Sequence, residues 1–124
     1  MSLPPFNKAL GRKGEQLAVE LLQQKGFEIL DTNWRYDRKE LDIIAKDDRF
    51  LVIVEVKART IECYEDPADA MTDGKIRNIL EATEAYMFEK NIDCEVRFDF
   101  VAVTFFNDRH EIEHIPGAFG AKAE

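Results

Sequence analysis

Asp42, Glu55 and Lys57 are charges planted inside two otherwise apolar runs, residues 41–45 and 50–58. Charge in such surroundings is costly unless it is paired, hydrogen-bonded or bound to a metal. Two carboxylates supply the hard oxygen ligands that suit Mg²⁺ or Mn²⁺. An ammonium two residues beyond the second can position a water, or steady negative charge developing on a phosphoryl group. The plainer alternative is a structural ion pair, Glu55–Lys57 or Asp42–Lys57.

The elements that must bring these residues together read as a hairpin. Phe50, Val52, Val54, Val56 and Ala58 mark one face of a strand, and on the other face Leu51 and Ile53 give way to Glu55, Lys57 and Arg59. In the strand before it, Leu41, Ile43 and Ala45 are expected on one face and Glu40 and Asp42 on the other. The polar stretch Lys46-Asp47-Asp48-Arg49 supplies the turn. A turn of two or four residues puts Asp42, Glu55 and Lys57 on one face; an odd turn without a bulge separates them. Both strands must pack an apolar face on the same core, which favours the even turn.

Asp42, followed after twelve residues by Glu55-Val56-Lys57, resembles the PD-(D/E)xK signature of the restriction-endonuclease-like superfamily. The surroundings resemble more specifically the small bacterial YraN-type family. That similarity spans about residues 11–104 through Gly11, Gly14-Glu15, Gly26, Asn33, Arg35, Glu40, Arg59, Lys75 and Arg97-Phe98-Asp99. Lys39 stands where the family usually has glycine, and Leu41 replaces an isoleucine. The resemblance implies a Mg²⁺- or Mn²⁺-dependent nuclease with Asp42 and Glu55 as metal ligands and Lys57 at the chemistry. It further implies Glu15, lent by a first helix, and Glu40 as additional ligands, with Arg35, Arg59 and Lys75 as phosphate contacts. A nuclease scaffold that binds nucleic acid or a protein without doing chemistry is the alternative.

A helix is expected over residues 7–25, because Leu10, Gly14, Leu17, Ala18, Leu21 and Leu22 follow three-four spacing and Gly26 can end it. Gly11 and Gly14 weaken that helix by about 1 kcal/mol each relative to alanine, which points to a close approach by another element or a phosphate backbone. Residues 27–35 read as a first strand, with Trp34 in or beside the core. Asp66-Pro67 is a helix-start signal. Beyond Thr72-Asp73-Gly74 a main helix runs to about Lys90, burying Ile76, Ile79, Leu80, Thr83, Tyr86 and Met87. Lys75, near its start, opposes the helix dipole. Residues 94–106 form a long apolar strand, expected to return parallel to the hairpin's second strand by a right-handed crossover. In it Arg97 and Asp99 share a face and pair with each other or with neighbouring charges. A turn at Asn107-Asp108-Arg109 leads to a short edge strand, and the tail is expected to fray from about residue 118. The order αβββαββ thus gives an α/β fold, a mixed β-sheet flanked by helices of restriction-endonuclease-like layout.

His110-Glu111-Ile112-Glu113-His114 spells the zinc-peptidase pattern, which works only on a helix. This segment alternates like a strand and soon meets Pro116-Gly117. Four strand residues span about 13 Å, too far for two histidines to share one zinc. Cys63 and Cys94 lack metal-ligand spacing and are expected to be reduced and structural.

The 124 residues suit one domain, and 45% hydrophobic content suits a globular one. No apolar run approaches the eighteen or so residues of a membrane span, and the start lacks a secretory pattern, so a cytoplasmic location is expected. There is no glycine-rich phosphate loop, so Walker-type nucleotide hydrolysis is not supported. The net charge of −8 opposes tight general binding to nucleic acid, although it is unevenly spread. Residues 1–60 hold 11 Lys/Arg against 10 Asp/Glu, and residues 61–124 hold 6 against 15. Weak, salt-sensitive binding to DNA is therefore expected, with the acidic second half available to a protein partner. A homodimer would suit paired strand cuts.

Overall fold

The computed structural model describes residues 8–61 and 71–120. In chain order the elements are α1 (Lys8–Gln24), β1 (Glu28–Tyr36), β2 (Lys39–Asp47), β3 (Phe50–Thr60), α2 (Asp73–Lys90), β4 (Val96–Phe105) and β5 (His110–Phe119). This is the αβββαββ order expected from the sequence. The strands lie in the sheet as β1-β2-β3-β4-β5, and only β3 and β4 run parallel, joined by the crossover that contains α2. Cys63, the Asp66-Pro67 signal and the Asn7 helix start lie outside the described residues.

Each helix covers one face of the sheet. Under α1, Ala18 and Leu22 pack on Ile43, Ala45, Val52, Val54, Val101 and Val103. Under α2, Ile79, Ala82 and Tyr86 pack on Leu41, Ile44, Leu51 and Ile53, with Trp34 beside them. Residues 51–55 of β3 are buried on both faces, which is why that strand reads as an almost unbroken apolar run. Burying each large aliphatic side chain contributes about 1.5–3 kcal/mol, so this central strand anchors both layers. The α1 stripe also needs Gly14. A Cβ built there would lie 2.7 Å from the Ala58 Cβ, so the glycine is what lets α1 settle on β3. Helix α2 starts where its sequence says it should: the Thr72 side chain accepts from the Lys75 N–H, and left-handed Asn91 ends it.

The β2–β3 turn is even, as the shared core requires. Asp47 pairs with Phe50, leaving Asp48-Arg49 as a two-residue turn with Asp48 at φ 56°. One part of the expected facing is corrected. Ile43 and Ala45 lie under α1, but Leu41 lies under α2 with Ile44. The strand turns over at Asp42, which sits between the rungs Thr32↔Ile43 and Trp34↔Leu41, across from Asn33 at φ 50°. There the Asp42 carboxylate takes the Val56 N–H at 2.9 Å, so a side chain stands in for the backbone ladder.

On β4, across from Val52 and Val54, Arg97 and Asp99 pair as expected, within a larger node. Arg97 donates to both Asp99 oxygens at 2.9 and 3.0 Å, and to Asp47 at 3.1 Å. Asp99, fully buried, also receives the Gly117 N–H at 3.0 Å and lies 2.8 Å from His114 Nε2. The Lys25 ammonium is 2.9 Å from His114 Nδ1. An ammonium can only donate, so Nδ1 accepts and Nε2–H donates to Asp99. His110 and His114 are on strand β5, which disposes of the zinc-peptidase pattern. The expected tail from residue 118 is instead the end of that strand: Phe119 packs on Phe98 with ring centroids 5.4 Å apart, which supplies the apolar contact that holds it. Cys94 is a free, exposed thiol.

Two substitutions test this packing. Burial alone would raise the Asp99 pKa, but Arg97, Gly117 N–H and His114 outweigh it and hold the carboxyl below its ordinary value. The resulting stability is present above the unfolded pKa of about 3.9 and lost as pH falls through the lowered folded value. Asp99→Ala leaves Arg97 with Asp47 alone and takes the acceptor from His114 Nε2–H and the Gly117 N–H, and urea unfolding at pH 7 should show a loss of about 1–3 kcal/mol that shrinks towards pH 2. Gly14→Ala should destabilise by about 1–3 kcal/mol despite alanine's better helix propensity, and Ala58→Gly added to it should recover most of the loss. Full stability in the single variant would mean that α1 does not sit against β3 as described.

Candidate functional site

The β2–β3 ladder stops at Ile43↔Val54. Beyond that rung β2 stays with β1 as far as Lys39↔Tyr36, while β3 stays with β4 as far as Thr60↔Phe105. The sheet therefore forks, and Asp42 and Glu55 occupy the rung at which the two arms part. They line a cleft with Gly11, Glu15, Val56, Lys57, Ala58 and Lys75. A second cleft, with Arg12, Thr32 and Asn33 in its wall, shares Glu15 and Asp42 with the first, so a trough crosses the fork.

Asp42 is 8% exposed and Glu55 4%. Asp42 Oδ2 accepts the Val56 N–H. Glu55 Oε1 lies 2.8 Å from Lys75 Nζ, and Glu55 Oε2, buried, has no hydrogen-bond partner among the described residues. Burial first, then the charge of Glu55, pushes the Asp42 pKa up to about 8, against the Val56 hydrogen bond. Burial also raises Glu55, against the pull of Lys75. Two carboxylates this close in a desolvated site resist ionising together. A proton held by one lets them hydrogen-bond to each other; with both ionised, Glu55 Oε2 is left bare.

Of the residues singled out in the sequence, the cleft brings together Asp42, Glu55, Lys57, Glu15 and Lys75. Lys57 makes neither of the ion pairs considered for it, and among the described residues no partner is found for its ammonium. Lys75 pairs with Glu55 in its place. Glu40 turns away to its cross-strand neighbour Arg35, at 3.5 Å. The Arg35 side chain is mostly exposed, and Arg59 Nε donates to Thr104 Oγ1 at 3.3 Å. Asn33, quoted in the resemblance but given no role, donates to Glu15 Oε1 at 2.9 Å and so holds the helix carboxylate beside the fork. Nothing in the spacing of Asn33 or Lys75 reveals these partners, because each lies on a different element from the carboxylate it touches.

Among the described residues no three carboxylate, histidine or cysteine groups already stand at metal-ligand geometry. The donor chemistry nevertheless fits a hard divalent cation. Among the described residues, three carboxylates and no histidine or cysteine line the cleft, and one buried carboxylate oxygen has no hydrogen-bond partner.

The model of the uncharacterised protein family UPF0102 matches residues 14–103. The chain belongs to the UPF0102 family. It is 43% identical over 110 residues to a UPF0102 protein of Flavobacterium psychrophilum, covering 89% of this chain and 92% of that one. A Geobacter metallireducens UPF0102 protein is 42% identical over 114 residues, covering 91% and 93%. The YraN-type resemblance is thus confirmed as family membership. The part of the chain matched to UPF0102 includes Glu15, Asn33, Asp42, Glu55, Lys57 and Lys75. Among the described residues no helix is long and apolar enough to cross a membrane.

The raised Asp42 pKa carries a stability consequence of definite sign. The folded state keeps a proton that the unfolded chain releases near pH 4, so stability falls as pH rises from about 4 to 8 and levels off above. Asp42→Asn keeps an oxygen for the Val56 N–H and removes this charge. Relative to wild type, its urea stability should improve steadily from pH 5 to pH 8.5. A difference that stays constant over that range would show that Asp42 is ionised throughout.

Proposed function

We propose that this UPF0102 protein is a divalent-cation-dependent phosphodiesterase acting on nucleic acid, most readily a DNA endonuclease of repair or recombination type. One observation carries the reading: the buried Asp42–Glu55 pair at the fork, in a cleft where a Glu55 oxygen and the Lys57 ammonium have no partner among the described residues. Similarity to the PD-(D/E)xK pattern supplies the reaction class. Asp42 and Glu55 would hold Mg²⁺ or Mn²⁺, with Glu15, oriented by Asn33, on the third side. A cation so bound supplies Lewis acidity and offsets the repulsion between the carboxylates. Lys57, free to donate, orients the attacking water or meets the charge that builds on the phosphoryl oxygens. Arg12 in the trough wall, with Arg59 and exposed Arg35 beyond it, are candidates to contact the flanking phosphates. The open fork provides entry for a strand in the cytoplasm, where such a substrate resides.

The charge of −8 makes affinity weak and salt-sensitive. It also favours a second reading, a scaffold that meets a protein through its acidic second half. A groove there has Glu81, Glu84 and Glu89 around Trp34, Tyr36 and Phe88, the last 90% exposed.

Labelled single-stranded, duplex, flap and four-way-junction DNA, incubated at low salt with Mn²⁺, separates the two. The expected result is cleavage of at least one substrate, lowered by 10²-fold or more, on the order of oxyanion-type losses, in Asp42→Ala and Lys57→Ala. Absence of cleavage, with DNA binding equal in all three proteins, would replace the enzyme with the binding scaffold.

A further inference from the structure

Among the described residues Lys75 is the one cation lining the cleft that is paired with a carboxylate, and three features of its setting are unusual together. Its ammonium is 2.8 Å from Glu55 Oε1, and its side chain is 48% exposed whereas that of Glu55 is 5% exposed. Its backbone N–H donates to Thr72 Oγ1 at 3.2 Å, so the backbone is held in the capped first turn of α2 while the four-carbon side chain has freedom to swing. It lies in the first turn of α2, where the helix dipole repels a cation. What holds the ammonium at Glu55 is therefore carboxylate charge, from Glu55 first and from Asp42 and Glu40.

Resting on the nuclease reading, we propose that Lys75 is an exchangeable counter-ion: its ammonium guards Glu55 until a divalent cation takes the carboxylate, and then turns to a substrate phosphate. A cation held by Asp42 and Glu55 cancels the attraction that keeps Lys75 in place and adds repulsion to it. The displaced ammonium stays at the rim of the cleft, because Thr72 still holds its backbone. A phosphate bound beside the cation gives it a new anion. Cation and phosphate therefore help each other to bind, and each alone binds weakly. Lys57, which has no carboxylate to surrender among the described residues, lacks this exchange.

The test reads Mn²⁺ binding directly, by electron paramagnetic resonance of free Mn²⁺, without turnover. Lys75→Gln should bind Mn²⁺ on the order of tenfold more tightly than wild type when no nucleic acid is present, a coupling of ordinary size. Lys57→Gln should gain clearly less. A fully phosphorothioate single-stranded oligonucleotide should tighten Mn²⁺ binding to wild type and do so much less in Lys75→Gln. Mn²⁺ binding that depends on Asp42 (lost in Asp42→Asn) but is unchanged in Lys75→Gln would overturn the exchange and leave the metal site standing. An equal gain in Lys57→Gln would also overturn it, reducing the effect to general charge. Failure of both wild type and Lys75→Gln to bind Mn²⁺ would remove the exchange together with the metal reading beneath it.

Discussion

Everything distinctive in this molecule follows from placing two carboxylates side by side where water is nearly excluded. A strand pair could continue past Ile43↔Val54 only by facing Asp42 directly against Glu55, and like charges on one rung are destabilising. The backbone leaves the ladder there. The Val56 N–H, facing the gap left by β2, is taken by the Asp42 side chain instead. The fork, the reversal of facing at Leu41 and the trough beside α1 are consequences of that one departure. Helix α1 can reach the opening because Gly14 allows it to lie on Ala58, which brings Gly11 and Glu15 to the cleft.

Much of this was legible in the residues because it depends on local periodicity. Alternation at 50–58 gave β3 its two faces, the three-four spacing of Leu17, Ala18, Leu21 and Leu22 gave α1, and the break at Thr72-Asp73-Gly74 gave the start of α2, which Thr72 caps. The even hairpin followed from the need of both strands to pack on one core. What was hidden is long-range or breaks the period. Leu41 lies under α2 because of an irregularity opposite Asn33 that no alternation rule contains. Glu55 is met by Lys75, from a helix beyond a crossover, and not by the lysine two residues away. In a strand, side chains two apart point the same way about 7 Å from one another, so sharing a face does not make Glu55 and Lys57 a contact pair. Glu40 was drawn into the candidate ligands by the resemblance, whereas cross-strand register gave it to Arg35. Phe119 showed the opposite error: a terminus was discounted although its ring had Phe98 to bury against.

The contrast between Asp99 and the forked pair shows how one fold assigns buried acids different work. Desolvation presses on all three in the same direction, and it is the largest influence on each. Asp99 meets it with two guanidinium bonds, a histidine and a backbone N–H, so the charged form wins and the carboxyl ties β4, β5 and the Asp47 turn together. Asp42 has one backbone donor, Glu55 has one ammonium from a half-exposed side chain, and one oxygen is left with nothing. Satisfying that oxygen with a fixed donor would have been the stabilising choice, since an unmet buried acceptor costs about 1–3 kcal/mol. The neighbouring backbone and side chains show that the chain can build such networks when only stability is at stake. On the proposed reading, the under-satisfied fork keeps room for an added positive charge, and the dense node one rung away on β4 helps the protein tolerate it.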